Sequence, residues 1–94
     1  MPNRFYRRRW DETRGDEFDS WGHSVWFFEV GGDGWPVRQV EIYDVGRVLR
    51  YGPHHPEDHY GGLGEASIYD SGDQWGDFEI TEAEFEREWT SDGE

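Results

Sequence analysis

Hydrophobic and polar positions alternate along residues 24–51 in the way that is typical of β-strands, and two glycine-containing turns interrupt the alternation. The first segment, 24–30, is largely apolar on both faces, which is expected of a central strand. Residues 31–34, Gly-Gly-Asp-Gly, predict a hairpin loop, and Pro36, which has no N–H to donate, suits the first position of the next strand. The pattern therefore predicts the start of an antiparallel meander.

A second turn, Asp-Val-Gly at residues 44–46, is predicted between strands at 37–43 and 47–51. In the register that this turn favours, Ile42 lies opposite Val48. A slip by one residue would move the apolar side chains of these strands from the core into water. We therefore expect burial to fix this register.

The C-terminal segment carries the strongest local signal. Thr81 and Glu84 match the capping box, in which hydroxyl and carboxylate each accept a hydrogen bond from a backbone amide, and Ile80 and Phe85 match the hydrophobic staple. These residues predict a helix that begins at Thr81. Phe85 and Trp89, four residues apart, share one face of this helix. Because so short a helix is not stable alone in water, that face must pack on the sheet.

Together these elements predict an α+β fold, in which an antiparallel sheet of about five strands forms a meander and one C-terminal helix packs on one of its faces. The remaining strands are expected at residues 5–10, as an arginine-bearing edge strand, and at residues 65–70. We expect the apolar face of the helix to contact Trp26, Phe28 and Ile42.

The 94 residues are expected to form a single domain, 1–94, with an ordered core over 5–89 and a frayed tail at 90–94. Six Trp, five Tyr and six Phe against one Met mean that large rings dominate the packing, and Trp75 is expected to be a lid over the core. The sequence has no cysteine, which excludes disulfides and thiolate metal sites. No apolar run is long enough for a membrane span, so a cytoplasmic location without a membrane partner is expected.

The charge is strongly negative and unevenly distributed. The net charge is −13, yet residues 1–14 carry five Arg against two acids, or +3, which leaves four Arg against twenty acids, or −16, on the rest. Phosphate contacts supply most of the non-specific affinity for nucleic acids, so an anionic body argues against a nucleic-acid groove and favours a basic partner protein. The arginines of 5–10 are expected to protect a sheet edge.

Residues 52–62, GPHHPEDHYGG, hold the densest set of reactive side chains, and two prolines and three glycines are expected to prevent regular structure there. Loops on a rigid sheet often carry function. We interpret four residues as a candidate partner-binding loop: His55, Asp58, His59 and Tyr60. Two alternatives stay open, a first-row metal site that also uses His54, and a histidine base oriented by Asp58. The proline-split spacing produces no converging ligands by itself, so no metal site and no cofactor is predicted.

Known enzyme motifs do not occur in the chain. It has no P-loop, dinucleotide fingerprint or nucleophile elbow. With twenty-two carboxylates, an acid–base pair is expected by chance, and no spacing selects one. No catalytic residue is therefore predicted. Residues 11–22 show neither helical nor strand periodicity and are expected to form a long loop.

Three segments occur in an order that matches a known pattern: WPVRQVEIYDVGRVLRYG at 35–52, HPEDHYGGLGE at 55–65 and FEITEAEFEREW at 78–89. Through them the chain resembles a family of small uncharacterised bacterial domains, over roughly residues 5–89. The resemblance implies a bacterial origin and no particular activity. It draws attention to six residues: Glu41, His55, Asp58, Tyr60, Gly61 and Leu63. His54 and His59 depart from the family pattern.

Small size, an acidic body and the lack of catalytic motifs favour a protein-binding module, such as an immunity or antitoxin-type inhibitor that covers the basic cleft of a nuclease. One alternative is a metal- or His-dependent enzyme that uses residues 54–60. Another is an accessory subunit that uses exposed rings and a sheet edge.

Overall fold

The computed structural model describes residues 3–72 and 74–90. Its strands are β1 Arg4–Trp10, β2 Ser24–Val30, β3 Pro36–Tyr43, β4 Val48–Tyr51, β5 Glu57–Asp58, β6 Gly61–Gly62 and β7 Glu79–Ile80, and its α-helix is α1 Glu82–Trp89. Short 3₁₀ helices span Asp19–Trp21, Ile68–Ser71 and Trp75–Phe78. In these ranges, no helix is both long enough and apolar enough to cross a bilayer.

Across the described residues, one antiparallel sheet has the order β4-β3-β2-β1-β7, and β5 pairs with β6 in a separate hairpin. With α1 packed on the larger sheet, the predicted α+β architecture is confirmed. The sheet is a meander from β1 to β4, and β7 then returns beside β1. The end of the chain that carries α1 thus lies beside the strand that begins it.

Both predicted turns of the meander form. At the first, the Gly34 amide donates to the Gly31 carbonyl (2.9 Å), and Pro36 opens β3. At the second, the Gly46 amide donates to the carbonyl of the last β3 residue (2.8 Å), and β4 begins at Val48, one residue later than predicted. Gly34 and Gly46 both have positive φ, of 84° and 94°, which explains glycine at these positions. The predicted pairing of residues 42 and 48 is confirmed.

The prediction that residues 5–10 form an edge strand is only partly right. β1 begins at Arg4 and pairs with β2 along its whole length. On its other side, Phe5 and Tyr6 pair with Ile80 and Glu79, so β1 is an edge strand only from residue 7 onward. The residues that directly precede the helix cap are extended and complete the sheet.

The predicted strand at 65–70 is wrong. Ser67 caps a 3₁₀ helix there, since its hydroxyl accepts a hydrogen bond from the Tyr69 amide (3.2 Å) and donates to the Asp33 carbonyl (2.6 Å). The Ile68 amide donates to the Gly34 carbonyl (3.0 Å), which ties the segment to the first turn. β7 is the fifth strand instead. The expected fraying at 90–94 lies, except for residue 90, outside the described residues.

The helix begins as predicted. The Glu84 amide donates to the Thr81 hydroxyl (3.1 Å) and the Thr81 amide donates to the Glu84 carboxylate (2.9 Å), which completes the capping box. Phe85 is fully buried, and its ring lies 5.5 Å from that of Phe5 and 6.2 Å from that of Trp89. Packing on the sheet therefore stabilises this eight-residue helix.

The two faces of the sheet have separate cores. Against α1 lie Phe5, Phe27, Val40 and Phe85, with Val25, Ile42 and Ile80 around them. On the opposite face, which we call the helix-free face, lie Tyr6, Phe28, Val30, Ile68 and Trp75. Trp75 is only 6% exposed and so covers this second core, as predicted for a lid.

The expected contact of the helix with Trp26 and Phe28 is wrong, whereas Ile42 does lie on the helix side. Ile42 pairs with Val25, the neighbour of Trp26, and successive residues of a strand point to opposite faces. Trp26 and Phe28 therefore lie on the helix-free face. The aromatic side chains of β2 thus divide between two cores.

Arg38 joins the helix to the sheet. Its guanidinium pairs with the carboxylates of Glu29, on β2, and Glu86, on α1. The guanidinium carbon also lies 4.9 Å from the ring centre of Phe85 and 5.0 Å from that of Trp89. This is a cation–π geometry, and it places one arginine between three elements.

Candidate functional site

A cleft of about 390 Å³ opens on the helix-free face. We call it the Glu41 cleft and define it by six side chains: Trp10, Arg14, Trp26, Glu41, Tyr43 and Tyr60. It lies between the C-terminal end of β1, the loop that follows β1, and the β5–β6 hairpin. Aromatic walls and a few polar groups are the usual composition of a binding site.

Sheet register positions the floor and one wall of the cleft. Ser24 pairs with both Trp10 and Tyr43, so these three side chains form a row across β1, β2 and β3. In the next row Trp26 lies beside Glu41. The Trp26 indole donates to the Ser24 hydroxyl (2.7 Å), and its ring centre lies 6.4 Å from that of Trp10. The two indoles therefore form one wall.

Glu41 is an acidic side chain in the interior of the sheet, only 3% exposed. Its carboxylate accepts hydrogen bonds from the side-chain amide of Gln39 (2.6 Å) and from the Tyr43 hydroxyl (2.6 Å). Burial raises the pKa of Glu41 above its ordinary value, and the two hydrogen bonds oppose that shift. Burial and the bond to Glu41 also raise the pKa of Tyr43, so the phenol keeps its proton and donates it.

Arg14 fixes the loop that follows β1 to the rim of the cleft. It donates to the Tyr60 carbonyl (2.5 Å) and the Tyr43 hydroxyl (3.3 Å), and it pairs with Asp16 (3.0 Å). Its guanidinium carbon lies 5.2, 5.4 and 5.8 Å from the ring centres of Phe18, Trp21 and Tyr43. The predicted long loop at 11–22 is thus held in place and includes one short 3₁₀ helix.

The predicted partner-binding loop is more regular than expected, because residues 57–58 and 61–62 pair as β5 and β6. Asp58 organises this hairpin, since its carboxylate accepts hydrogen bonds from the Tyr51 hydroxyl (2.9 Å) and the Tyr60 and Gly61 amides (2.8 and 3.2 Å). Burial acts to raise the pKa of Asp58, but hydrogen bonds from Tyr60, Tyr51 and His55 outweigh it and hold the pKa below its ordinary value.

The side chains of the predicted loop form two pairs, His55 with Asp58 and His59 with Tyr60, instead of one cluster. Tyr60 lines the Glu41 cleft, whereas Asp58 lies at the turn of the hairpin, where its carboxylate accepts the Tyr60 amide hydrogen bond. His55 stacks on Tyr51, with ring centres 6.0 Å apart, and its Nε2 atom lies 3.4 Å from the Asp58 carboxylate. His59 packs edge-on against the rings of Phe18 and Tyr60. Among residues 3–72 and 74–90, no three His, Asp or Glu side chains are grouped in a way that would hold a metal ion.

One pattern in the sequence does indicate the floor of the cleft. Gln39, Glu41 and Tyr43 occupy alternate positions of a central strand, so three polar residues share one face. All three are buried, which is unusual unless they bond to one another. Trp10 and Arg14 join them only through sheet register and the following loop, which sequence spacing does not show.

A smaller apolar cavity of about 220 Å³ lies beside the Glu41 cleft. The two tryptophans of the cleft wall, Trp10 and Trp26, also line this cavity, together with Phe28, Trp75 and Arg8. Its lining is almost entirely hydrocarbon apart from Arg8, whose guanidinium carbon lies 5.0 Å from the Trp75 ring centre. The wall thus separates an almost wholly apolar cavity from a cleft whose lining also includes polar groups.

Comparison of the chain with family models, with curated proteins and with solved structures returned no significant match. The resemblance to a family of small bacterial domains therefore stays a prediction. The geometry of the cleft supplies the argument for function.

Proposed function

We propose that this chain is a cytoplasmic bacterial protein-binding module that binds a basic partner protein, in the manner of an immunity or antitoxin-type inhibitor. One observation carries the proposal: the Glu41 cleft combines a buried carboxylate with aromatic walls on a rigid sheet. Such a cleft suits recognition of a positively charged group on another protein.

The charge distribution supports a basic partner. Residues 15–94 carry −16, and Glu12 places an exposed carboxylate at the rim of the cleft, where Asp16 offsets the charge of Arg14. Complementary charge accelerates association and discriminates against acidic proteins. The same field disfavours nucleic acids, whose phosphates would approach an anionic surface.

Three of the five N-terminal arginines pair with the protein's own carboxylates. Arg4 pairs with Glu79 (3.2 Å), Arg9 with Asp11 (2.8 Å) and Arg14 with Asp16. These arginines are therefore partly neutralised by the protein's own carboxylates, which further supports a protein partner over a nucleic acid.

Aromatic side chains around the cleft supply the contact surface. Trp10 is 39% exposed although it lies in a strand, and Tyr60 is half-buried on the opposite side of the cleft. Trp and Tyr are over-represented among residues that dominate binding energy. His59 lies on the same hairpin as Tyr60, and His55 lies two residues before the first strand of that hairpin, so the predicted partner-binding loop would extend this surface.

The proposal is tested by capture of partner proteins from a lysate of the source organism on the immobilised chain. The wild type is compared with Trp10→Ala and with Glu82→Gln, a control that changes one exposed charge on the helix. We expect a basic protein that the control also binds and that Trp10→Ala loses. Raising the salt from about 0.1 M to about 1 M shortens the Debye length from about 10 Å to about 3 Å and should release it.

Three outcomes would contradict the proposal: capture of acidic proteins, binding that is indifferent to salt, or equal loss in the Glu82→Gln control. Recovery of no specific protein at any salt concentration would contradict it as well. Inhibition of a nuclease by the purified chain, lost in Trp10→Ala, would identify the inhibitor form of the function.

A further inference from the structure

Two arginines of the protein, Arg38 and Arg14, have the same kind of surroundings. The guanidinium of Arg38 lies over the rings of Phe85 and Trp89 and pairs with two carboxylates. Arg14 lies over the rings of Phe18 and Trp21. In both cases the flat guanidinium faces π-electrons while its N–H groups reach oxygen acceptors, which is the arrangement that favours arginine over lysine.

The Glu41 cleft offers the same components to another molecule. Trp26 and Glu41 lie in one row of the sheet and Trp10 lies in the adjacent row, so the cleft offers two rings and a carboxylate. The Arg8 guanidinium, which lines the apolar cavity, already lies 5.1 Å from the Trp10 ring centre. Each carboxylate oxygen can accept two hydrogen bonds. Gln39 donates one to Oε2 of Glu41, and Tyr43 donates one to Oε1. Two acceptor positions therefore remain, enough for the paired N–H groups of one guanidinium.

We infer that the Glu41 cleft binds the guanidinium group of an arginine side chain on the partner, stacked on the Trp10–Trp26 wall and paired with Glu41. This inference rests on the proposed function and names the chemical group that the cleft recognises. A planar, weakly hydrated cation that donates two parallel hydrogen bonds fits such a site better than the compact ammonium of lysine.

The charges around the cleft agree with a cationic ligand. Arg14 also lines the cleft, but Asp16 pairs with it at 3.0 Å, so Glu12 and Glu41 leave the cleft negative. Burial raises the pKa of Glu41, which means that its ionised form lacks full solvation. A guanidinium beside it would stabilise that form, because opposite charges attract strongly where water is excluded.

The test uses three blocked tripeptides, Gly-Arg-Gly, Gly-Lys-Gly and Gly-citrulline-Gly, titrated into the ¹⁵N-labelled protein. Citrulline has nearly the same shape as arginine but no charge. The indole N–H resonances of Trp10 and Trp26 report on the cleft, and those of Trp35 and Trp89 report on other surfaces. We expect saturable shifts of the first pair with the arginine peptide and at least about tenfold weaker binding of citrulline, a difference of about 1.4 kcal/mol.

Three variants complete the test. Glu41→Gln should weaken binding of the arginine peptide at least about fivefold, which corresponds to about 1 kcal/mol. Because Glu41 is buried and this variant risks misfolding, Trp10→Ala, at an exposed position, is measured too and should also weaken binding. Glu82→Gln, on the helix, should bind as the wild type does.

Equal binding of citrulline or lysine would overturn the inference, as would undiminished binding by Trp10→Ala or shifts confined to Trp35 and Trp89. Failure of this inference differs from failure of the proposed function. If the arginine peptide does not bind but capture of a basic protein depends on Trp10, only the inference is wrong. If the peptide binds but no basic protein is captured, the proposed function is wrong.

Discussion

Replacement of Arg38 should destabilise the fold more than replacement of any exposed arginine, because this side chain joins the sheet to the helix. Its side chain is 18% exposed, and that of its partner Glu29 is 13% exposed. Arg38→Met keeps most of the aliphatic stem and removes the guanidinium. The variant therefore leaves the Glu29 carboxylate largely buried without its cation, while the second partner, Glu86, is 37% exposed and remains solvated.

The expected loss follows from these contacts. A hydrogen bond to a charged, buried partner contributes about 1.5–3 kcal/mol, whereas the exposed pair with Glu86 contributes about 0–1 kcal/mol after screening. Stacking over the Phe85 and Trp89 rings adds about 0.5–1 kcal/mol. We expect Arg38→Met to lower the free energy of unfolding by about 2–4 kcal/mol, a large part of the roughly 5–14 kcal/mol typical of a domain this size. The Tm should fall by about 4–8 °C per kcal/mol.

Urea denaturation followed by tryptophan fluorescence measures the effect, with Arg87→Met on the exposed side of the helix as the matched control. A double-mutant cycle with Glu29→Gln isolates the coupling between the two charges. A loss below about 0.5 kcal/mol, within the range of ordinary surface substitutions, would refute the reasoning. So would a cycle in which the effects of Arg38→Met and Glu29→Gln simply add.

The contact between Arg38 and Glu86 should also make the effect of Arg38→Met on stability depend on pH. The hydrogen bond from Arg38 lowers the pKa of Glu86 below its ordinary value of 4.5. Because the folded pKa is depressed, this part of the stabilisation is present above the ordinary pKa and is lost as the pH falls through the lowered value. The stability difference between wild type and Arg38→Met should therefore shrink on acidification, and a constant difference would contradict this assignment.

Four further substitutions, with one control, test the helix packing, the helix cap and the turns by the same denaturation assay. Phe85→Ala removes a fully buried ring and should lower the free energy of unfolding by about 3–5 kcal/mol. The control Arg87→Ala, at an exposed position of the same helix, should be nearly neutral. Similar losses in the two variants would contradict the buried position of Phe85. Thr81→Ala breaks the capping box and should cost about 1 kcal/mol, and no loss would show that the cap is dispensable. Gly34→Ala and Gly46→Ala both place alanine at positive φ, but only at Gly34 would the new Cβ lie within 3 Å of neighbouring side chains. Gly34→Ala should therefore lower the free energy of unfolding more than Gly46→Ala. Equal losses would contradict the packing around Gly34.

Local features of the sequence were predictable, because they depend on residues close together in the chain. The capping box needs only Thr81 and Glu84, and the turn at 44–46 needs only its own glycine and the flanking apolar residues. The register of residues 42 and 48 follows from that turn. The helix cap and this turn were thus correctly placed. The β5–β6 hairpin was missed although it spans only six residues, since regular structure was not expected there.

Features that depend on distant contacts were missed. The segment 65–70 has the alternation of a strand, yet Ser67 binds the Asp33 carbonyl and turns it into a 3₁₀ helix. Glu79 and Ile80 form a strand because β1 offers an edge, which their own sequence does not indicate. The cleft likewise depends on register across three strands and on Arg14, so spacing in the sequence directed attention to the histidine loop instead.

The pairing of β1 with β7 also bears on how the protein reaches its native state. Arg4 and Glu79, which bond across this pair, are 75 positions apart in the chain. Long sequence separation between contacting residues slows folding, because the loop between them must close first. A nascent chain that has reached only residue 78 therefore lacks both the strand and the helix that cover Phe5 and Phe27, and these rings stay in contact with water until synthesis has passed the helix.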